Sequence, residues 1–595
     1  MRAGSGPAPT GVSANDADGT RRTPSRRTAF LHASILASLG AVAFLLSFPL
    51  GRDATWGWPF VFAWPALLAA AAARSSGWRG IAACVAPPFF LAILWHEWWM
   101  HEVTVFGMPV LVVYLTAWTV VLAWLLARLG GPGGPRGLRL PWIASIPIAL
   151  VAVEFLRGDL VCTGYAWFFA AHPLVEWREV AQVASLGGGW ALSALAGVVA
   201  GGLLDAFVAR GPRRVVSPLV AGILLIASHF FGSARIAPLD ALAARPSEAG
   251  QPAVVLVQTN VPMSNKLAWS PEDQVEDFLA GARLTIDGAK RARNDGYAVA
   301  VAVWPETMVP GFGLEPESIQ TLVGGGYYPG DRFAQAVTDL SRAIDAPLLA
   351  GSPAYEGLRV EGNRFVWNRQ FNSAYLVDGC DGAPPTTRTD KIYLTPFGET
   401  MPVISRSDWL EAQLLALGAA GMTFDLEAAD APRPFRIGTG DGAFDAGVPI
   451  CFEITMPWAS RRIAFADGKR VANVLLNLSN DGWFGPSELG RRQHLQVACL
   501  RAIELDTAVL RSVNTGYSAW IDRTGRVREM LGANEGGSIS ARLEPSEGVP
   551  LAARAGDGVA WCALLLAVVL SLVWRRGVHT RAASDSAASN GGWSG

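Results

Sequence analysis

The stretch GVPICFEITMPW, residues 447–458, sets a single cysteine between an apolar run and a glutamate. Cys451 admits three readings there: a nucleophile, half of a disulfide, or a small hydrophobe packed in a core. Its neighbours in the chain narrow the choice of fold. AVVLVQTNV (253–261), AVAVAVWPE (298–306), APLLAGSPAY (346–355), VPICFE (448–453) and ANVLLNLSND (472–481) are β-branched runs too short to cross a membrane as helices. DRFAQAVTDLSRAIDA (331–346) places Phe333, Val337, Leu340 and Ile344 on one helical face, with Asp331 set to cap its start. RRQHLQVACLRAIELD (491–506) carries a similar stripe of Leu495, Ala498, Cys499, Ala502 and Leu505. Buried strands alternating with one-sided helices predict a layered α/β domain over 251–546, large enough to bury its own core.

The rest of the 595-residue chain is different in kind. Overall it is 51% hydrophobic and only 17% charged, a balance that puts much of it in lipid. A net charge of −1 without a basic stripe argues against a nucleic-acid partner. Six cysteines with no CxxC pair indicate neither a zinc site nor a disulfide framework. HEWWMH (96–101) spaces its histidines five apart, which misses the helical zinc geometry, and no GxSxG occurs. Neither a metal nor a cofactor is expected.

Apolar runs at about 30–50, 56–73, 80–98, 107–127, 140–156, 186–207 and 215–232 approach the ~20 residues of a spanning helix. An eighth, VAWCALLLAVVLSLVW, stands alone at 559–574. Arginines cluster in alternate connections: Arg21, Arg22, Arg26 and Arg27; Arg74 and Arg79; Arg128, Arg136 and Arg139; Arg210, Arg213 and Arg214; and Arg575 with Arg576 after the last run. The other connections hold Arg52, then none in WWMHEVTVF, then Arg157 and Arg178. The positive-inside rule therefore puts both termini in the cytoplasm and 233–558 on the outer face. SRRTAFL at 25–31 faintly resembles a twin-arginine export signal, yet no small-residue cleavage site follows the apolar run. The expected division is a disordered cytoplasmic tail (1–28), a seven-helix membrane domain (29–232), a linker (233–250), the α/β domain (251–546), a second linker (547–558), an eighth helix (559–576) and a cytoplasmic tail (577–595).

A nucleophilic thiol needs a base and a partner for the developing oxyanion. The outer region holds one histidine, His494, so a Cys–His pair would rest on it alone. Carboxylate and lysine offer another route. WPET ends an apolar strand with Glu306, where partial desolvation raises a carboxyl's pKa and suits it to act as a base. DKIYLTPFGE sets Lys391 at the edge of another strand, and an ammonium near a thiol stabilises both thiolate and oxyanion. Taken singly, Glu306 reads equally well as an exposed strand-end residue, whereas Lys391 reads better as a solvated surface lysine and Cys451 better as a buried small hydrophobe.

Together, WPE, DKIYLTPFGE, CFE and LSNDGWFG, in that order, resemble the nitrilase superfamily with its Glu–Lys–Cys triad. With seven preceding runs, one following run, VEFLRG in the fifth and HLQVACLRAIELDTAVLRSVNTG after the cysteine, the chain from about 30 to 576 resembles the apolipoprotein N-acyltransferases of the bacterial inner membrane. That resemblance implies a multi-pass α-helical membrane domain joined to a nitrilase-like α-β-β-α sandwich on the periplasmic face. It implies Glu306 as general base, Lys391 as oxyanion partner and Cys451 as nucleophile. It implies supporting roles for Glu399 in PFGE, for Glu453 in CFE, and for Trp269 in NKLAW on a loop over the site. Phe452 stands where relatives commonly carry tyrosine, so a hydroxyl there is dispensable in this chain. The implied partners are the bilayer, a phospholipid acyl donor and a lipoprotein acceptor whose N-terminal cysteine bears diacylglycerol. The implied chemistry passes the acyl chain through a Cys451 thioester.

Two other functions compete. A membrane-tethered carbon–nitrogen hydrolase would use the same CFE and WPE. A transporter or receptor would line a path with intramembrane charge, and only Glu154 and Asp205 approach the runs, both near ends. Glu154 and Arg157 either orient a lipid headgroup or pair with each other. GGG at 187–189 reads as a place of close helix approach, NLS at 477–479 as part of a buried strand, Cys380 as a turn residue, and Cys499 and His494 as structural.

Overall fold

The structure, a computed structural model, describes residues 25–573 apart from 52, 106, 131–139, 246–247, 268, 328–330, 363, 380–386, 397, 401–425 and 439–441. Most of the tail expected over 1–28, the tail 577–595, Cys380, and Arg21, Arg22, Arg52, Arg136, Arg139, Arg575 and Arg576 lie outside the described residues.

All eight apolar runs are helical. Among the described residues, five helices are long and apolar enough to cross a membrane: α1 (Arg26–Ser47), α3 (Gly77–Glu97), α4 (Gly107–Leu129), α6 (Ala184–Val208) and α7 (Arg213–Ala243). The other three are shorter: α2 (Trp64–Arg74), prefaced by a 3₁₀ turn; α5 (Trp142–Phe155), prolonged by a π turn; and α12 (Gly558–Val573). α1 begins inside the stretch expected as tail, because Ser25 accepts a hydrogen bond from the Thr28 N–H and caps it. α7 continues to Ala243, well into the stretch expected as a linker. The reason is polar partnership beyond the apolar run: Arg235 pairs with Asp506 at 2.6 Å, and Asp240 with Arg178 at 2.7 Å and Arg528 at 3.0 Å. The second expected linker, 547–558, contains a helical turn, Leu551–Ala555.

The region from 252 to 542 is a sandwich of two six-stranded sheets. Its strands are β1 (Pro252–Gln258), β2 (Ala298–Val303), β3 (Leu348–Glu356), β4 (Arg369–Val377), β5 (Arg388–Asp390), β6 (Phe435–Ile437), β7 (Phe444–Gly447), β8 (Val474–Ser479), β9 (Val509–Val513), β10 (Ala519–Ile521), β11 (Val527–Met530) and β12 (Gly537–Arg542). One sheet runs β12-β1-β2-β3-β4-β5 and the other β11-β10-β9-β8-β7-β6. β1, β2 and β3 are parallel, as are β7, β8 and β9. Their continuous apolar runs are buried on both faces, as parallel strands require. Val254, Leu256, Val301 and Val303 of the first sheet meet Ala446, Leu476, Leu478 and Leu510 of the second between the layers.

Helices α8 (Pro271–Asn294) and α9 (Arg332–Ile344) cover the outer face of the first sheet through Phe278, Phe333 and Val337. Asp331 stands before α9, but its side chain makes no capping bond. α10 (Pro457–Ala464) and α11 (Glu488–Leu505) cover the second sheet. The stripe expected on α11 is buried, and so is nearly every other residue of that helix from Gly490 onward. The cause is a second neighbour: α11 also packs on α6, and one apolar cluster runs unbroken from the membrane helices into Leu495, Ala498 and Leu500. The GGG segment makes this possible. Gly188 has φ +70°, and a β-carbon on it would stand 2.7 Å from Glu504 Oε1.

Candidate active site

Glu306, Lys391, Cys451 and Asn480 each follow the carboxyl end of a strand, namely β2, β5, β7 and β8. Open parallel sheets gather functional groups at that edge. The VPICFE strand expected over 448–453 ends at Gly447; Ile450 keeps only an isolated bridge to Leu478, and Cys451–Thr455 forms a 3₁₀ turn. Cys451 has φ 51°, a left-handed conformation that a cysteine adopts only under local constraint. Glu453 supplies the constraint. Its Oε2 accepts from the Ile450 N–H at 2.7 Å, and its Oε1 from the N–H groups of Ile392 and Tyr393 at 2.7 and 3.0 Å. One fully buried carboxylate thus ties the nucleophile turn to the segment carrying Lys391. Burial pushes the Glu453 carboxyl up to about 7, with Lys391 and the three N–H donors opposing.

Glu306, Lys391 and Cys451 come together, the thiol hydrogen-bonding to the Glu306 carboxyl. Lys391 Nζ lies 3.8 Å from Glu306 Oε1 and 2.7 Å from Glu399 Oε2. Lys391 is 1% exposed and Glu306 5%, whereas Cys451 is half-buried, so substrate meets the sulfur before the charges. Glu306 sits on a turn whose next residue, Thr307, has φ 54°. Gly351 on β3 leaves room for that turn, since a β-carbon there would fall 2.5 Å from the Thr307 nitrogen. The Asn480 N–H donates to Glu306 Oε2 at 3.0 Å. The Asn372 amide donates to Glu306 Oε1 at 2.7 Å and to Glu399 Oε1 at 2.9 Å, bridging the two carboxylates.

Electrostatics follow from this geometry. Burial disfavours the Lys391 ammonium, but Glu399 and Glu306 more than offset that and hold it above the usual lysine range. Burial raises the Glu306 carboxyl above the ordinary glutamate range, against Lys391 and the bonds from Asn372 and Cys451. Glu399 is half-buried, and Lys391 and the Thr395 N–H keep it below that range against the desolvation it does suffer. Burial, and then the Glu306 carboxylate, push the Cys451 thiol far up. The site thus sets a thiol beside the Glu306 carboxyl, with the Lys391 ammonium next to both.

Phe452 lies near-parallel to two rings, with centroids 6.2 Å from Tyr165 and 6.1 Å from Tyr393. The Trp269 indole N–H donates to Asp277 of α8 at 2.8 Å, a bond that seats it at the start of that helix. His494 is buried, with Nδ1 3.1 Å from Asp481 Oδ1; burial and Arg511 lower its pKa. Asp481 braces its ring. Cys451 and Cys499 are both free thiols. Glu154 accepts from the Ala170 N–H at 2.7 Å, and Arg157 donates to the carbonyls of Tyr165 and Trp167 at 3.1 and 2.7 Å, so both side chains fasten one loop. Asn477 of the NLS segment is fully buried and bonded to Pro449 and Arg511. Asn372 was not among the expected site residues; an asparagine in the middle of an apolar strand was its only signal.

Comparison with known proteins agrees with this architecture. Residues 40–202 match the model of the apolipoprotein N-acyltransferase N-terminal domain, and 256–551 that of carbon-nitrogen hydrolases. An apolipoprotein N-acyltransferase from Geobacter metallireducens is 29% identical over 559 residues, covering 91% of this chain and 95% of its own. One from Bradyrhizobium diazoefficiens is 30% identical over 489 residues, 81% of each chain. Among solved structures, an amidase of the nitrilase superfamily from Nesterenkonia AN1 aligns with 52% of this chain and 96% of its own, at 16% identity and a TM-score of 0.33. With a membrane bundle fused to a sandwich that gathers glutamate, lysine and cysteine at one edge, and with relatives matching along most of its length, the chain belongs to the apolipoprotein N-acyltransferase family.

Proposed function

We propose that this protein moves an acyl chain from a membrane phospholipid, by way of a Cys451 thioester, to the α-amine of a lipoprotein's N-terminal diacylglyceryl-cysteine. Glu306 takes the thiol proton as sulfur attacks the ester carbonyl. The oxyanion is held by the Lys391 ammonium and by the N–H of Phe452, the first after the nucleophile. Glu306 then gives the proton to the departing lysophospholipid oxygen. In the second half, Glu306 accepts the proton of the attacking α-amine, nitrogen adds to the thioester carbonyl, and the intermediate collapses to amide and Cys451 thiolate, which Glu306 reprotonates. The proton count closes over the cycle, and the site needs no bulk water. The sandwich faces the periplasm of the inner membrane, with both termini cytoplasmic.

The observation that carries the proposal is the fusion itself: the thiol sits on a domain whose core is continuous with membrane helices, where only lipid-anchored substrates meet it with ease. The test is incubation of purified protein with a phospholipid labelled in its acyl chain. A hydroxylamine-labile label on Cys451, absent in Cys451→Ala and discharged by a diacylglyceryl peptide with a free α-amine, supports the proposal. Absence of that label on wild type, with turnover of small amides instead, replaces it with the hydrolase reading.

A further inference from the structure

The residue after the nucleophile is a phenylalanine with no hydroxyl to anchor it, yet it adjoins a cysteine held in a left-handed conformation at φ 51°. The two rings beside it are pinned. Tyr165 lies near-parallel to it at an interplanar angle of 28°, and Tyr393 at 20°. The Tyr165 hydroxyl donates to Oε1 of Glu97 at 2.9 Å; Glu97 is the last residue of α3 and is fully buried. The Tyr393 hydroxyl donates to the carbonyls of Thr163 and Gly164, two residues before Tyr165 in the same membrane-side loop. That loop is itself constrained: Cys162, Thr163 and Gly164 have φ of 54°, 64° and 92°. A β-carbon on Gly164 would meet the Gly158 carbonyl oxygen at 2.4 Å. The next turn of the loop is held too, because the Trp167 indole donates to Gln493 of α11, and Gln493 also bonds His96 of α3 at 3.1 Å. A strained loop and a strained nucleophile turn thus face each other across one three-ring stack, and both hydroxyls of the stack fasten to membrane-domain groups.

We infer that Tyr165, held by Glu97, is a positioning residue of the membrane domain: its ring, pressed on Phe452, keeps the Cys451 turn in attack geometry. A tyrosine at 452 would anchor this turn from within; here the anchor is supplied by both neighbouring rings, so a ring alone suffices at 452. The two domains are then one catalytic unit, because the sandwich contributes the reacting groups and the membrane domain sets the pose of the sulfur. Displacing a reacting atom by about 1 Å costs roughly a hundredfold in rate, so a modest relaxation of the stack is visible kinetically.

The inference deepens the acyl-transfer reading, and its test is chosen to be separate from it: alkylation of Cys451 by iodoacetamide in the detergent-solubilised full chain, followed by peptide mass across pH. Exposed Cys162 in the same digest reports general access. Tyr165→Ala is expected to slow Cys451 alkylation about tenfold or more and to change its pH dependence, because sulfur no longer sits against the Glu306 base. Tyr165→Phe keeps the ring but releases it from Glu97, and its rate is expected to fall between those of alanine and wild type. Should the alanine variant fail to insert, Tyr165→Leu fills the space without a π face and carries the same comparison. A wild-type rate and pH profile in Tyr165→Ala or Tyr165→Leu overturns the inference, as does a Tyr165→Phe variant as slow as alanine. If the phospholipid label never appears on wild-type Cys451 but alkylation follows this order, the acyl donor assignment falls and the positioning role stands.

Discussion

Asn372 offers the sharpest quantitative test of the site. Its amide gives one N–H to Glu306 and the other to Glu399. Asn372→Leu keeps the volume, admits no water and removes both donors. Glu306 then retains the Asn480 N–H and the ammonium 3.8 Å away. A hydrogen bond to a charged group contributes about 1.5–3 kcal/mol, and one pKa unit corresponds to about 1.36 kcal/mol. The Glu306 carboxyl, already raised by burial, therefore climbs by about one to two further units. A base works only when deprotonated, so the acid limb of the rate profile for Cys451 acylation shifts upward by the same amount. Below that limb the variant is about 10- to 100-fold slow, and well above it the rate approaches wild type. The assay is pre-steady-state acylation from labelled phospholipid over roughly pH 5–9, reading the position of the limb and its plateau separately. An unmoved limb, or one that moves down, refutes the reasoning. So does a loss of rate equal at every pH, since that is the mark of misplaced groups and not of a retuned base.

Other expectations follow from the same contacts. Lys391→Met strips the oxyanion partner and leaves Glu306 and Glu399 facing each other in a dry pocket; acylation falls about 100- to 1000-fold and stability by about 3–5 kcal/mol, read by single-turnover rates and thermal unfolding. Asp481 is buried against His494 and Arg511, and its carboxyl is held down to about 2. Its folded pKa lies below the unfolded value of about 3.9, so it contributes about 2 kcal/mol that is complete above pH ~4 and lost as pH falls toward 2. Denaturant unfolding of the wild type should lose stability across that window, and Asp481→Asn should flatten the slope there; an unchanged slope refutes the assignment. Gly188→Ala forces a side chain into the left-handed region and against Glu504, and should lower the unfolding temperature at a cost of about 1–3 kcal/mol.

Much of this was legible in the sequence for physical reasons that can be named. Glu306 and Cys451 follow apolar runs whose β-branched content marks buried strands, and Lys391 opens a motif whose order carried the family resemblance. The eight apolar runs declared themselves by length and composition. What escaped depends on partners far away in the chain. VPICFE reads as a strand because nothing local reports that Glu453 will fold back on Ile450 and reach Ile392 and Tyr393. α7 outran its apolar segment because Arg235 and Asp240 find partners on the sandwich, Asp506 lying 271 and Arg528 288 residues on in the chain. Asn372 looked like an unremarkable polar residue in a strand until two carboxylates arrived on either side of it. α11 showed one apolar stripe, while its polar residues, Arg491, Gln493, His494 and Arg501 among them, are buried by a neighbour that no periodicity announces.

That last helix has a practical corollary. A globular head hung from a lipid anchor by flexible cord can be cut free and studied in buffer; this one cannot. Severing residues 251–546 would strip the cover from the greasy flank of α11, where Leu495, Ala498 and Leu500 pack on the membrane helices, an invitation to clump. Whoever prepares the enzyme must carry the whole chain in detergent or nanodiscs, and any soluble fragment that did survive would have repacked that flank into something other than the native catalyst.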